Sequence, residues 1–402
     1  MNDIKDEYQR VYARINLDAI NYNMQSIFSA LKEDTRVIAV LKTDGYGHGA
    51  IPIARELEKM ERVYGFALAT AEEALILRNS GIRKPLLVLG YTFPNVYEEL
   101  IQKNVSLTVF REDMLEDIAK ACRRISTTEY KYIAHVHIKT DTGMGRIGVT
   151  PDDVGLDFVK KASGFPELKI DGLFTHLSRA DEPEPGGIEF TKRQIDKYIN
   201  FSERIKNELG LTIPLHHILN SAGIIDYPQA DLDLVRAGII IYGLWPSGEP
   251  SEKISLKPVL SLHSQIVYIK EVEAGTSISY GGIFVSERKM KIATVPVGYG
   301  EGYPRTLSGK ADVLIRGVRC PILGRICMDQ MMVDVSHLSE VSEGDRVTLI
   351  GSDGNESITM EELGKISGRF NYEMACDLGK RIPRVFTKNN MVLTTKDYYE
   401  DF

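Results

Sequence analysis

The sequence of 402 residues predicts an α/β chain, a (β/α)8 barrel followed by a smaller, mostly β domain. Three observations carry this. Short β-branched runs alternate with amphipathic stretches through the first ~245 residues, the pattern of parallel strands joined by helical crossovers. That span suits a barrel of ~250 residues, with a doubly wound open sheet as the alternative. The texture then changes at Trp245-Pro246-Ser247-Gly248-Glu249-Pro250, a turn-rich linker, and strand-like runs dominate beyond it.

In chain order, the predicted barrel strands are 37–41, 65–69, 85–90, 107–110, 134–138, 169–174 and 234–241, with one more apolar run ending before Asn220. Amphipathic stretches at 50–60, 71–79, 113–124 and 191–209 supply crossovers. In the second domain, 260–269, 291–297, 311–315, 331–335 and 346–350 read as strands. One helix is expected over 359–368, with Thr359 as N-cap and Glu361 and Glu362 in the first turn, where the helix dipole favours acids.

Composition narrows the class. Hydrophobic residues are 43% and charged residues 26%, as in ordinary globular proteins. A net charge of -7 argues against gripping nucleic acid through bulk positive charge. No apolar run reaches the ~18 residues of a membrane span. The charged N-terminus MNDIKDEYQR is no signal peptide, and Cys122, Cys320, Cys327 and Cys376 are too scattered for a disulfide framework. A soluble cytoplasmic protein is expected, with no nucleic-acid or membrane partner.

Parallel barrels place their chemistry at the carboxyl ends of the strands. Lys42 follows the first barrel run in KTDGYGHG, beside Tyr46. Partial desolvation there favours a neutral amine, a nucleophile for a carbonyl cofactor; the plainer reading is a lysine reaching solvent. Lys139 and Arg146 share a strand-end loop and suit a carboxylate or a cofactor oxygen, unless both are merely solvated. Gly143, Gly145 and Gly148 in that loop fit GxGxxG, but no acidic partner follows for a dinucleotide. His176 ends another strand, as acid/base, ring-stacking or structural histidine. His135 with His137, and the adjacent His216 and His217, lack a third ligand, so no metal is expected. Asn220-Ser221 and Arg236-Ala237-Gly238-Ile239 offer small residues and amides to a phosphate, or are ordinary turns. Tyr280 before two glycines is a hairpin residue or an exposed phenol with a task.

Together, AVLKTDGYGHG, KTDTGMGRIG, THLSRADE, NSAG, LVRAGIIIYGLWPS, SYGG, VGYGEGYPR and GRICMDQMMVDV resemble the pyridoxal-phosphate-dependent alanine racemases, in order and spacing, from Ala13 to Phe386. The resemblance implies a cofactor-binding barrel at 14–245 and a mostly β domain at 246–402, with residues 1–13 as a strand joining the second domain. It implies a head-to-tail homodimer with composite active sites, acting on a small amino acid. Lys42 matches the lysine that holds the cofactor, and Tyr280 the tyrosine lent by the other subunit as the opposite-face base. Tyr46, Ser221, Gly238, Ile239 and Tyr372 match phosphate contacts, with Asn220 beside them. Arg236 matches the arginine at the pyridine nitrogen and His176 the ring-stacking histidine. Arg146 matches the arginine near the phenolic oxygen and substrate, and Lys139 the lysine often carbamylated beside it. Met328 matches the residue whose backbone amide meets the substrate carboxylate. Asp181, Tyr299, Arg305 and Arg325 match the entrance.

The implied activity is interconversion of L- and D-alanine by two bases, which in a bacterium supplies D-alanine for peptidoglycan. The alternatives are a racemase of serine, a basic amino acid or many amino acids, a barrel decarboxylase, and a non-catalytic cofactor carrier. Three departures stand out: KTDGYGHG for the family's common KANAYGHG, HLSRADE for HFATADE, and GYGEGYPR for GYADGYPR. The last two put Arg179 and Glu301 near the expected entrance.

Overall fold

The computed structural model describes residues 10–399. The first strand, β1 (Val11–Asn16), precedes a closed parallel barrel. Its strands are β2 (Arg36–Val40), β3 (Val63–Leu68), β4 (Leu86–Val88), β5 (Val105–Val109), β6 (Ala134–Lys139), β7 (Leu168–Phe174), β8 (Leu215–His217) and β9 (Leu234–Ala237), the last pairing back onto β2. Crossover helices pack outside. In Glu112–Ile125, the buried Met114, Leu115, Ile118, Ala119 and Cys122 form one helical stripe under a charged outer face.

Two barrel elements differ from the sequence reading. The run expected over 234–241 is a strand only to Ala237. The chain turns at Gly238, and Ile239–Tyr242 forms a short 310 turn. A continuous apolar run carries no period to distinguish these states. The run before Asn220 contains β8, three residues long and read as LHH, too short for any pattern to mark.

Beyond the linker come β10 (Leu260–Gln265), β11 (Tyr268–Val272), β12 (Ser277–Ile278), β13 (Phe284–Val285), β14 (Met290–Val295), β15 (Asp312–Ile315), β16 (Val318–Leu323), β17 (Met331–Asp334), β18 (Arg346–Asp353), β19 (Glu356–Ile358), β20 (Arg384–Lys388) and β21 (Met391–Lys396). These and β1 build one sheet in the order β11-β14-β17-β16-β15-β18-β10-β1-β20-β21, with β19 on β18; β12 and β13 form a separate hairpin. Thus β1 lies between β10 and β20, while residues 1–9 of the expected N-terminal strand lie outside the described residues. The predicted strand 260–269 breaks in two because the chain changes partner, from β18 before the break to β14 after it. The predicted helix is Met360–Ser367; Thr359 Oγ1 accepts the Glu362 N–H at 3.0 Å, and Gly368 ends it at φ 72°. Among the described residues no helix is long and apolar enough to cross a membrane. All four cysteines are free.

Candidate active site

A cavity of about 260 Å³ opens at the carboxyl end of the barrel. Lys42, Tyr46, His176, Asn220, Ser221, Arg236, Gly238 and Ile239 line it, and Tyr372 reaches it from the second domain. Strand ends and the turns after them therefore bring together residues spread over most of the chain.

Lys42 stands two residues past the end of β2 and begins an unusual turn. Thr43, Asp44, Gly45 and Tyr46 are all left-handed, at φ 54°, 50°, 65° and 52°. Each non-glycine costs ~1–2 kcal/mol in that conformation, so the surroundings must hold the turn. Glu73 accepts the Thr43 N–H at 2.5 Å and the Ala69 N–H at 2.8 Å, joining the ends of β2 and β3. Asp44 Oδ1 accepts the Ala50 N–H at 2.8 Å. At Gly47 a Cβ would stand 2.0 Å from the Ala375 carbonyl oxygen, so no side chain fits. Burial pulls the Lys42 ammonium below its ordinary range and Arg146 adds to this, while Cys376 and Glu73 oppose it. The net effect is an ammonium that gives up its proton more readily than an exposed lysine.

Arg236, on β9, is 3% exposed. Its Nη1 donates to His217 Nδ1 at 2.7 Å and to the His217 carbonyl at 2.9 Å. Its Nη2 donates to the Thr175 and Ile218 carbonyls at 2.6 and 3.0 Å. A guanidinium only donates, so His217 carries its proton on Nε2 and passes it as a hydrogen bond to His137 Nδ1 at 3.0 Å. Nε, the remaining donor, has no described partner, on a side chain that lines the cavity. Burial lowers the Arg236 pKa to about 9, which leaves it cationic at neutral pH. His176 lies beside it, driven well below its ordinary pKa by burial and by Arg236, Arg146, Lys139 and Lys42, and is therefore neutral.

Just past Arg236, Ser221 Oγ accepts the Gly238 N–H at 2.9 Å, which turns the serine's own proton away from Gly238. A Cβ on Gly238 would stand 2.9 Å from the Tyr46 hydroxyl and 3.5 Å from Ser221 Oγ. Gly238 thus keeps a small polar cradle open. Ile239 begins the 310 turn, so its N–H has no partner within that turn. Asn220 lines the cavity while serving as a cap: Oδ1 accepts the Gly223 N–H at 3.0 Å, and Nδ2 donates to the Leu177 carbonyl at 3.1 Å. Hydroxyl and amide donors around a gap suit a phosphate.

Lys139 is 2% exposed and donates to the Thr140 and Ile147 carbonyls at 2.6 and 3.2 Å. Burial drops its pKa to about 7, with Arg236 and Arg146 helping and Asp141 opposing. Arg146 itself sits on the exposed loop. In that loop the Asp141 carboxylate accepts the N–H groups of Gly143 and Gly145 at 3.0 and 3.1 Å. An acid thus occupies the glycine turn where a dinucleotide would present phosphate. The HxH histidines go separate ways, His135 to Asp171 at 2.5 Å and His137 to His217.

Other predicted residues stay apart from this cavity in their own chain. Tyr280 is 67% exposed, Met328 53% and Tyr299 42%, and Arg305 is exposed too. Tyr280 follows Ser279, which holds φ 66° and donates its hydroxyl to the Arg325 carbonyl at 2.5 Å. Asp181 lines the cavity and also a neighbouring one of about 710 Å³. The entrance role expected for Glu301 is corrected: it is fully buried, paired with Arg10 at 2.7 Å and Arg381 at 3.1 Å, and accepts the Gly298 N–H at 2.9 Å. Arg179 likewise turns to Glu182 at 2.7 Å and lines neither cavity. Sequence reasoning missed Glu73, whose place in a first helical turn resembles ordinary dipole pairing. It also missed the link from Arg236 through His217, because the histidines looked only like poor metal ligands.

The chain is similar to known proteins along both domains. Residues 15–246 match the alanine racemase N-terminal domain and residues 259–386 the alanine racemase C-terminal domain. The chain is 42% identical over 375 residues to an alanine racemase of Halothermothrix orenii, covering 93% of this chain and 96% of that one. It is 40% identical over 390 residues to the alanine racemase of Clostridium tetani, covering 96% and 98%. The alanine racemase structure of Clostridium difficile superposes with a TM-score of 0.90 at 36% identity, covering 97% and 99%. That of Bacillus anthracis with bound L-Ala-P gives 0.89 at 34%, covering 98% and 99%. The chain belongs to the alanine racemase family.

Proposed function

We propose that the protein is an isomerase that interconverts L- and D-alanine with pyridoxal 5′-phosphate, through two bases drawn from the two subunits of a homodimer. The observation that carries this reading is the single cavity shared by a desolvated lysine, an arginine with one free donor and a small polar cradle. These residues fit the cofactor, with a cationic donor for its ring and hydroxyl and amide donors for its phosphate. Ser221, Tyr46 and the Ile239 N–H would hold the phosphate, with Gly238 leaving room and Tyr372 alongside. Arg236 would donate to the ring nitrogen and neutral His176 would stack on the ring. When bound, the cofactor supplies the electron sink that acidifies the substrate α-proton.

The remaining work belongs to the chain. Lys42, whose ammonium burial makes more acidic than usual, takes or returns the α-proton on one face. Tyr280 of the partner subunit does so on the other, which accounts for its 67% exposure in the single chain. A cationic Arg236 would disfavour protonation of the ring nitrogen, and so would limit side reactions. Arg146 and the Met328 amide orient the substrate carboxylate. Lys139, with a pKa near 7 and so partly neutral, is open to carbamylation and would then pair with Arg146. Tyr372 narrows the side-chain space and favours alanine. Asp181 lines the approach with Tyr299, Arg305 and Arg325. The division into 14–245, 246–402 and an N-terminal strand joining the second domain belongs to the same proposal, as does a cytoplasmic location.

The test is formation of D-alanine from L-alanine by purified protein with pyridoxal phosphate. Rapid racemisation of alanine is expected. Faster turnover of lysine or serine, or cofactor uptake without racemisation, would overturn the assignment.

A further inference from the structure

The segment beyond residue 386 lies outside the stretch matched to the alanine racemase C-terminal domain. Its structure is nevertheless built. Asn389 and Asn390, at φ 51° and 59°, turn the chain tightly, as the primed hairpin turns require. β21 then runs back antiparallel along β20, so that Lys396 stands opposite Arg384. Two contacts fasten the hairpin to the barrel: Lys388 Nζ to Glu56 Oε1 at 2.6 Å, and the Asn389 N–H to Asp18 Oδ2 at 2.7 Å.

The end of the hairpin meets the turn that carries Lys42. Lys396 Nζ lies 2.8 Å from Asp44 Oδ2, and the Tyr398 hydroxyl donates to the same oxygen at 2.5 Å. The Tyr398 ring lies under the Lys396 ammonium at 4.4 Å and the Arg384 guanidinium at 5.2 Å. Arg384 donates from Nε to the Gly47 carbonyl at 3.0 Å. Both ends of the left-handed turn are therefore tied to this one hairpin, Asp44 through its carboxylate and Gly47 through its carbonyl. Asp44 also stands where the common family pattern has an amide. The negative charge at 44 and the positive charge at 396 form a matched pair in this chain.

We propose that Asp44, Lys396 and Tyr398 are positioning residues, and that the C-terminal hairpin is a strap holding the left-handed turn so that the Lys42 amine stays aimed at the reacting carbon. This rests on the proposed role of Lys42. None of Asp44, Lys396 and Tyr398 lines the cavity. Loss of the strap acts on the orientation of Lys42, hence on proton transfer rather than on substrate affinity.

The test uses full-length Lys396→Met, Tyr398→Phe and their double variant, read by amide hydrogen exchange and by kinetics. The double variant is expected to exchange about ten-fold faster at 43–50 while β3 to β9 keep their protection. Its kcat falls several-fold with KM for alanine unchanged. Adding Asp44→Asn to Lys396→Met, which removes the unpaired carboxylate, restores part of both. Unchanged exchange at 43–50 would overturn the proposal, as would loss of protection spread over the whole chain. If Tyr398→Phe alone folds and behaves as wild type in exchange and kcat, the strap does not include the phenol. The exchange measurement needs no activity, so it stands even if alanine proves not to be the substrate.

Discussion

Replacing Tyr46 with Phe separates cofactor affinity from stability. The hydroxyl has no hydrogen bond to any described residue, yet it borders the cradle beside Ser221 and Gly238. Removing it leaves no protein partner orphaned. The ring keeps its contacts, with centroids 5.1 Å from Tyr242 and 6.1 Å from Tyr372. Stability of the cofactor-free protein should therefore change by less than ~0.5 kcal/mol, as for changes away from partnered groups. A hydrogen bond to a charged phosphate is worth ~1.5–3 kcal/mol. At ~1.4 kcal/mol per decade, the dissociation constant for pyridoxal phosphate should rise by about one to two orders of magnitude. The assay is a fluorescence titration of cofactor-free protein, paired with urea unfolding of the same sample. Unchanged affinity, or a loss of apo stability as large as the loss of binding energy, would refute the placement of the phosphate.

Other outcomes follow from the same geometry. Gly47→Ala should lose ~2 kcal/mol or more in urea unfolding, because its Cβ meets the Ala375 carbonyl at 2.0 Å and φ is 77°; an unchanged midpoint would contradict the packing of the turn. Glu301→Gln should lower stability by ~1–3 kcal/mol, at or below the low end for a broken buried pair because both arginines are partly solvated, and leave KM for alanine unaltered. A raised KM would return Glu301 to the entrance. Lys139 has a folded pKa near 7, against an ordinary 10.5. Its burial penalty is fully present below pH 7 and fades as pH rises toward 10.5, since the unfolded chain holds the extra proton in that window. In carbon-dioxide-free buffer Lys139→Met should thus be stabilised most at pH 6 and least at pH 10 by thermal melting. A gap that grows with pH would contradict the burial argument.

The barrel is readable because strands such as β2 and β5 are short β-branched runs between helices, and helices such as Glu112–Ile125 carry the period directly. What escaped was local. β8 is three residues long, and the run through Gly238 continues apolar past the strand end. Lys42, Arg236 and Ser221 stood out by position at strand ends, and the family resemblance supplied their roles. Glu73, His217 and the contact of Tyr398 with Asp44 act through partners far away in sequence, and no spacing announces a partner. Glu301 shows the converse error. A charged residue in an entrance motif looked exposed until Arg10 and Arg381 were found around it.

The central claim is that the two opposing bases come from different chains, and co-expression tests it. Lys42→Ala and Tyr280→Ala variants are each expected to be inactive alone. Produced together and allowed to pair at random, they should recover about a quarter of wild-type alanine racemisation, because half the dimers are mixed and each mixed dimer has one intact site. A co-expressed pool that contains mixed dimers and remains as inactive as either parent would show that Lys42 and Tyr280 do not meet across the interface.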